Sequence, residues 1–129
     1  MSDFEGFDPI ILEDVDPTVS FESQVRSDHS GEVALIGTYI FQSEAQLDAF
    51  MKTFPGHAAF MKSKPGFISA KLHRGIAGAN VLIIYAVWES PAAFHAAFQA
   101  EEEKQTGSAE KPTSGTIGRR VLVEVISQD

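Results

Sequence analysis

Val81-Leu82-Ile83-Ile84-Tyr85-Ala86-Val87-Trp88 is an unbroken run of apolar and aromatic residues. Asn80 precedes it and Ser90-Pro91 follows, so its length and flanks read as a buried β-strand. Side chains alternate across a strand. Leu82, Ile84, Ala86 and Trp88 therefore share one face, and Val81, Ile83, Tyr85 and Val87 the other. Helices packed on the sheet can cover only one of these faces, and the other would remain a large apolar patch. A second copy of the same sheet is the economical cover and predicts a two-fold homodimer. The N-terminal arm is the competing cover.

Outward from this strand, the pattern gives the order strand, helix, strand, strand, helix, strand. Residues 33–41 are rich in β-formers and follow a Ser30-Gly31 turn. Ser43-Glu-Ala-Gln46 is a capping box that opens a helix with Leu47, Phe50, Met51 and Phe54 on one stripe. Pro55-Gly56 is expected to kink or break it, leaving a second segment over residues 57–62. Residues 67–74 alternate as a strand, and Gly75, Gly78 and Asn80 supply the turn into residues 81–88. Ser90 is an N-cap with Pro91 in the first helical position, and Phe94 and Phe98 fall on the core side. Residues 105–118 read as a loop and 119–126 as the last strand. The order predicts an α+β fold, a largely antiparallel sheet with two helices on one face.

The chain has 129 residues, enough for one domain, and a net charge of −8. Residues 1–32 hold nine of the 18 acids but a single base, Arg26, whereas residues 33–129 are electrically balanced. This divides the chain into an acidic N-terminal arm, 1–32, and a body, 33–129. The arm also carries Phe4, Phe7, Ile10, Ile11, Leu12, Val15, Phe21 and Val25. It is therefore expected to pack on the domain or on a partner, with Val19–Glu22 alternating as a half-buried strand. An acidic surface disfavours nucleic acid. The absence of cysteine removes disulfides, thiolate metal sites and cysteine nucleophiles. The longest apolar runs are under half a membrane span, and no basic leader precedes an apolar stretch, so a cytoplasmic protein with no membrane partner is expected.

Recognisable chemistry is sparse. His29, His57, His73 and His95 show no helical i, i+4 pairing and no HxH or HExxH spacing, so no metal site is expected. Glu101–Glu103 read as a solvated face, and Gly75 and Gly78 lack phosphate-loop spacing. Ser63, Ser69 and Ser90 lie in no nucleophile elbow. What stands out is Trp88, the single tryptophan, together with Pro65-Gly-Phe-Ile-Ser-Ala-Lys-Leu-His-Arg74, Tyr85-Ala-Val-Trp-Glu-Ser90 and Ala93-Phe94. Together these resemble the antibiotic biosynthesis monooxygenase family, over about residues 33–126 and excluding the arm.

The resemblance implies a ferredoxin-like split β-α-β fold whose sheets pair into a dimeric α+β barrel. It also implies a cavity between sheet and helices for a flat aromatic substrate. Similar members oxidise anthrone-type polyketides to quinones with O2 and no cofactor, so a small aromatic substrate and O2 are the expected partners. Trp88 matches the family's cavity tryptophan. Two positions where family oxygenases often carry asparagine are Gly37 and Ile84 here, which removes two amide hydrogen-bonding groups. Tyr39 and His73 join Trp88 as candidate catalytic residues. Gly37, Ile84, Phe50, Phe60 and Arg74 are candidate substrate-binding residues. His57, at the expected helix break, is a further base candidate. Two rival readings share the fold: a non-catalytic dimeric small-molecule-binding module, and a haem-degrading relative that would need a histidine near the cavity.

Overall fold

Ser43 opens the longest helix: its hydroxyl accepts the Gln46 backbone N–H at 3.2 Å, while the Gln46 side chain reaches back to the Gln42 N–H. The computed structural model describes residues 10–105 and 116–126. In chain order the elements are β1 (Ile10–Asp14), α1 (Phe21–Val25), β2 (Val33–Ile40), α2 (Glu44–Lys62), β3 (Phe67–Arg74), β4 (Val81–Trp88), α3 (Pro91–Gln105) and β5 (Thr116–Glu124). The sheet order is β1-β5-β2-β4-β3, antiparallel except for the parallel β1–β5 pair. Strands β2 to β5 with α2 and α3 form the ferredoxin-like unit, and β1 adds a fifth strand at the β5 edge.

The two faces of β4 divide as the alternation requires except at its end, where Val87 and its partner Ala34 are buried on the outer face as well. Leu82, Ile84, Ala86 and Trp88 are buried beneath the helices, where they meet Leu47, Phe50, Met61, Phe94 and Ala97. On the opposite face Ile83 and Tyr85 remain 37% and 36% exposed, and Val123 of β5 is 37% exposed. Ser90 caps α3 by accepting the Ala93 N–H at 3.1 Å. Gly66, at φ +87°, takes a left-handed turn before β3, and a Cβ there would lie 2.5 Å from that of Ala93. Only glycine allows β3 to start this close to α3.

Three expectations are corrected. Val19–Glu22 is not a strand: Ser20 accepts the Ser23 N–H at 3.1 Å and caps the short helix α1, which buries Phe21 and Val25. Two apolar residues two apart fit a strand, but Phe21 and Val25 also fit one helix face, and the cap decides. Second, α2 runs unbroken through Pro55. Pro55 and Gly56 are exposed, so water can reach the Met51 carbonyl that proline cannot bond, while Phe50, Phe54 and Met61 hold the flanking turns to the core. Third, β5 begins at Thr116, not Arg119, and ends at Glu124, because Ile117 and Gly118 pair with Ile40 and Tyr39 of β2. Most of the expected loop, residues 106–115, lies outside the described residues, as do Phe4, Phe7 and the side chains of Glu101–Glu103.

The arm finishes the β5 edge in two steps. β1 pairs with residues 116–120, and beyond it the Gln24 side chain takes over. Gln24 donates its amide to the Leu122 carbonyl at 2.9 Å and accepts the Leu122 N–H at 3.0 Å. Phe21 packs edge-on against Phe94 of α3, with centroids 5.8 Å apart. Gln24→Ala removes both hydrogen bonds from a half-buried strand and is expected to cost about 1–3 kcal/mol. Urea unfolding checks this: the midpoint falls with an unchanged slope.

Candidate functional site

The β2–β4 register places Gly37 beside Ile84, Tyr39 beside Leu82 and Val33 beside Trp88, all on the helix face. The β2–β5 register adds Arg120 next to Gly37. One row of this face therefore reads Leu72, Ile84, Gly37, Arg120, Asp14 across the five strands. Phe50 comes down from α2 onto Tyr39, with ring centroids 5.2 Å apart. Gly37, Tyr39, Ile84 and Phe50 are thus brought together, with Trp88 four residues along the same face of β4.

Trp88 is fully buried in an aromatic cage. Phe67, Phe94 and Phe98 meet its ring near edge-on at 5.3, 5.8 and 6.0 Å. Its indole Nε1 is buried and has no hydrogen-bond partner among the described residues. An indole N–H left this way costs on the order of 1–3 kcal/mol, and native structures rarely tolerate it without a use. Phe60 joins the far side of the cage through Phe98, at 5.5 Å, and also lies under the Lys64 ammonium. It is only half-buried, on the outer side of that cluster.

Gly37 has a specific steric consequence. The Tyr39 phenol folds back over it, so that a Cβ at residue 37 would lie 3.0 Å from Tyr39 Cε2 and 3.1 Å from its hydroxyl. The space that any larger residue at 37 would claim is occupied by the Tyr39 ring. Burial raises the Tyr39 phenol above its ordinary 10.0, and the nearby positive charge of Arg120 partly offsets this. Tyr39 is accordingly a neutral hydrogen-bond donor at physiological pH. Arg120 went unnoticed in the sequence because it belongs to no motif. Only the pairing of β5 with β2 sets it beside Gly37.

His73 and Arg74 are not brought to this cluster. His73 pairs with Ile83 and shares its face, on the opposite side of the sheet from Trp88, where its Nδ1 lies 3.2 Å from the Ile83 carbonyl. Strand parity forbids it from reaching the helix side. Arg74 lies on the helix face but at the rim, where Asp48 and Glu44 hold its guanidinium at 3.5 and 3.7 Å. His57 packs on α2 between Phe54 and Phe98. No three potential metal ligands cluster among the described residues.

The sequence model described as antibiotic biosynthesis monooxygenase matches residues 32–107. This chain belongs to that family. No curated protein sequence matches the chain significantly. Among solved structures, a protein of Shewanella loihica PV-4 proposed to be a monooxygenase is 29% identical. It superimposes with a TM-score of 0.60 over 78% of this chain and 99% of that one. SnoaB, a cofactor-independent oxygenase from Streptomyces nogalater, is 20% identical, with a TM-score of 0.57 over 77% and 97% of the two chains. A heme-degrading protein from Mycobacterium tuberculosis is 22% identical, with a TM-score of 0.52 over 76% and 98%. At such identities the last two show a shared ferredoxin-like fold. No helix among the described residues is long and apolar enough to cross a membrane.

Two measurements check the Tyr39–Gly37 geometry. Gly37→Ala is expected to lose about 1–3 kcal/mol through the crowded ring in the wild-type background and much less in a Tyr39→Ala background. Because folding raises the Tyr39 phenol, its contribution to stability is complete below 10.0 and is lost as pH rises through the folded value. Alkaline unfolding curves of wild type and Tyr39→Phe should therefore converge toward a common pH dependence below 10.0 and diverge above it.

Proposed function

We propose that this protein is a cofactor-independent monooxygenase acting on a flat aromatic, polyketide-like substrate of the anthrone or quinol type. The observation that carries the reading is the partnerless, fully buried indole N–H of Trp88 inside a cage of three phenylalanines. A cage of aromatic faces with one polar donor suits a planar ligand bearing an oxygen acceptor. Family membership and the cofactor-independent oxygenase among its structural neighbours support the reaction class.

In this reading the substrate supplies the electrons. A phenol loses its proton to solvent, and the resulting electron-rich anion reduces O2 at the ring carbon to form a C–O bond. The hydroperoxide then loses water. One oxygen atom ends as the new carbonyl and the other leaves in that water, so a CH2 becomes C=O. The protein's contribution is to exclude water, hold the ring plane, and stabilise the developing anion with the indole N–H. Gly37 and Ile84 offer no hydrogen-bonding side chain in the middle of the site. That feature favours a second reading, a binding module of the same fold without oxygen chemistry.

Oxygen uptake with a panel of anthrones and naphthols, no cofactor added, separates the two. Wild type is expected to consume O2, and Trp88→Phe, which keeps an aromatic ring but removes the N–H, to be slower by about tenfold or more. Binding of the panel without uptake would establish the binding module instead.

We also propose a homodimer formed by the outer sheet face, where Ile83, Tyr85 and Val123 are each more than a third exposed and Ile36 and Val121 are half-buried. Sedimentation equilibrium should give twice the chain mass at micromolar concentration, and Ile83→Asp should shift the protein to the monomer.

A further inference from the structure

Tyr39 and Arg120 stand on neighbouring strands, and the residue between them in the fold is Gly37. Gly37 is the register partner of Arg120, and the Tyr39 hydroxyl lies 3.1 Å from where a Cβ on residue 37 would be. With no side chain at 37, nothing at that position separates the phenol from the strand that carries Arg120. The Arg120 guanidinium lies over the Phe21 ring, 4.3 Å from its centroid. Phe21 is in turn anchored by its backbone N–H, which donates to Asp14 Oδ1 at 2.8 Å. The arm thus braces the cation on the helix face of the sheet. Tyr39 and Arg120 both belong to the half-buried residues of this face.

We propose that Tyr39 and Arg120, meeting over Gly37, form an anion-recognising corner that selects aromatic ligands carrying an ionised oxygen over neutral ones. The chemistry follows from the donors. A guanidinium presents a planar fork of N–H groups that matches a carboxylate, and a neutral phenol adds an O–H donor to the same oxygen. A half-buried setting strengthens both relative to open water. The ligand class is an aromatic ring bearing a carboxylate, and the corner sits beside the buried side chains of Phe50 and Ile84. This specificity rests on the reading that the site takes an aromatic ligand.

The test compares 1-hydroxy-2-naphthoate with 2-naphthol at neutral pH, with binding followed by emission of the single tryptophan, Trp88. Wild type is expected to hold the naphthoate about tenfold or more tighter than the naphthol. Arg120→Gln should lose that preference while binding 2-naphthol unchanged, which also shows that the variant is folded. Arg120→Lys should keep part of the preference, and Tyr39→Phe should weaken the naphthoate by several-fold. Equal binding of the two compounds by wild type, or a preference that survives Arg120→Gln, overturns the anion corner alone. Failure of wild type to bind either compound overturns the aromatic-ligand reading and the corner with it.

Discussion

The β2–β4 ladder is the constraint on which the rest of the molecule depends. Its eight register pairs run from Val33 with Trp88 to Ile40 with Val81. Both strands have a neighbour on each side, so their backbone polar groups are satisfied within the sheet and the side chains are free to be apolar on both faces. Helices α2 and α3 must then lie across one face, and their aromatic residues fill the space above Leu82, Ile84 and Trp88. The apolar residues of the other face follow from the same choice. So does the scarcity of titratable side chains on the helix face of the ladder, where Tyr39 stands alone opposite Leu82, while charged chemistry is left to the flanking strand β5 and to the arm.

The parts of the fold set by local rules were legible in the sequence. The bounds of β4, the caps at Ser43 and Ser90, and the strand-helix order all follow from runs, spacing and hydroxyl positions. The errors arose where long-range pairing or competing periods decide. Val19 to Val25 carries both a two-residue and a four-residue spacing, and the Ser20 cap resolves it toward helix. The start of β5 depends on partners some 80 residues away in the chain, which no local pattern displays. His73 lies on a strand that borders the site, yet only every second residue of a strand can face it. Arg120 was missed for the complementary reason, since its neighbour Gly37 is distant in sequence and adjacent only through register.

The arm has a larger part in the site than its composition suggests. Its acidic character marks it off from the body, and the family match begins only at residue 32. Even so, Phe21 and Val25 are buried in the core, and Phe21 touches both the helix that roofs Trp88 and the guanidinium of Arg120. A segment outside the shared family region therefore contributes to the environment of the residues most concerned with chemistry. Two family members with similar bodies and different N-terminal segments would differ at this corner while sharing the aromatic cage.

The Gln24–Leu122 pairing also bears on how the molecule behaves at high concentration. A sheet edge with a long row of unpaired N–H and C=O groups is a template for another chain, and edge-to-edge stacking is a route to aggregation. Here β5 offers no such row: five residues are taken by β1 and the next paired position by a side-chain amide rather than by backbone. The new outer edge is β1 itself, only five residues long and carrying Glu13 and Asp14. A visiting strand would find a short strip, its Glu13 already paired with Arg119, that ends at a helix.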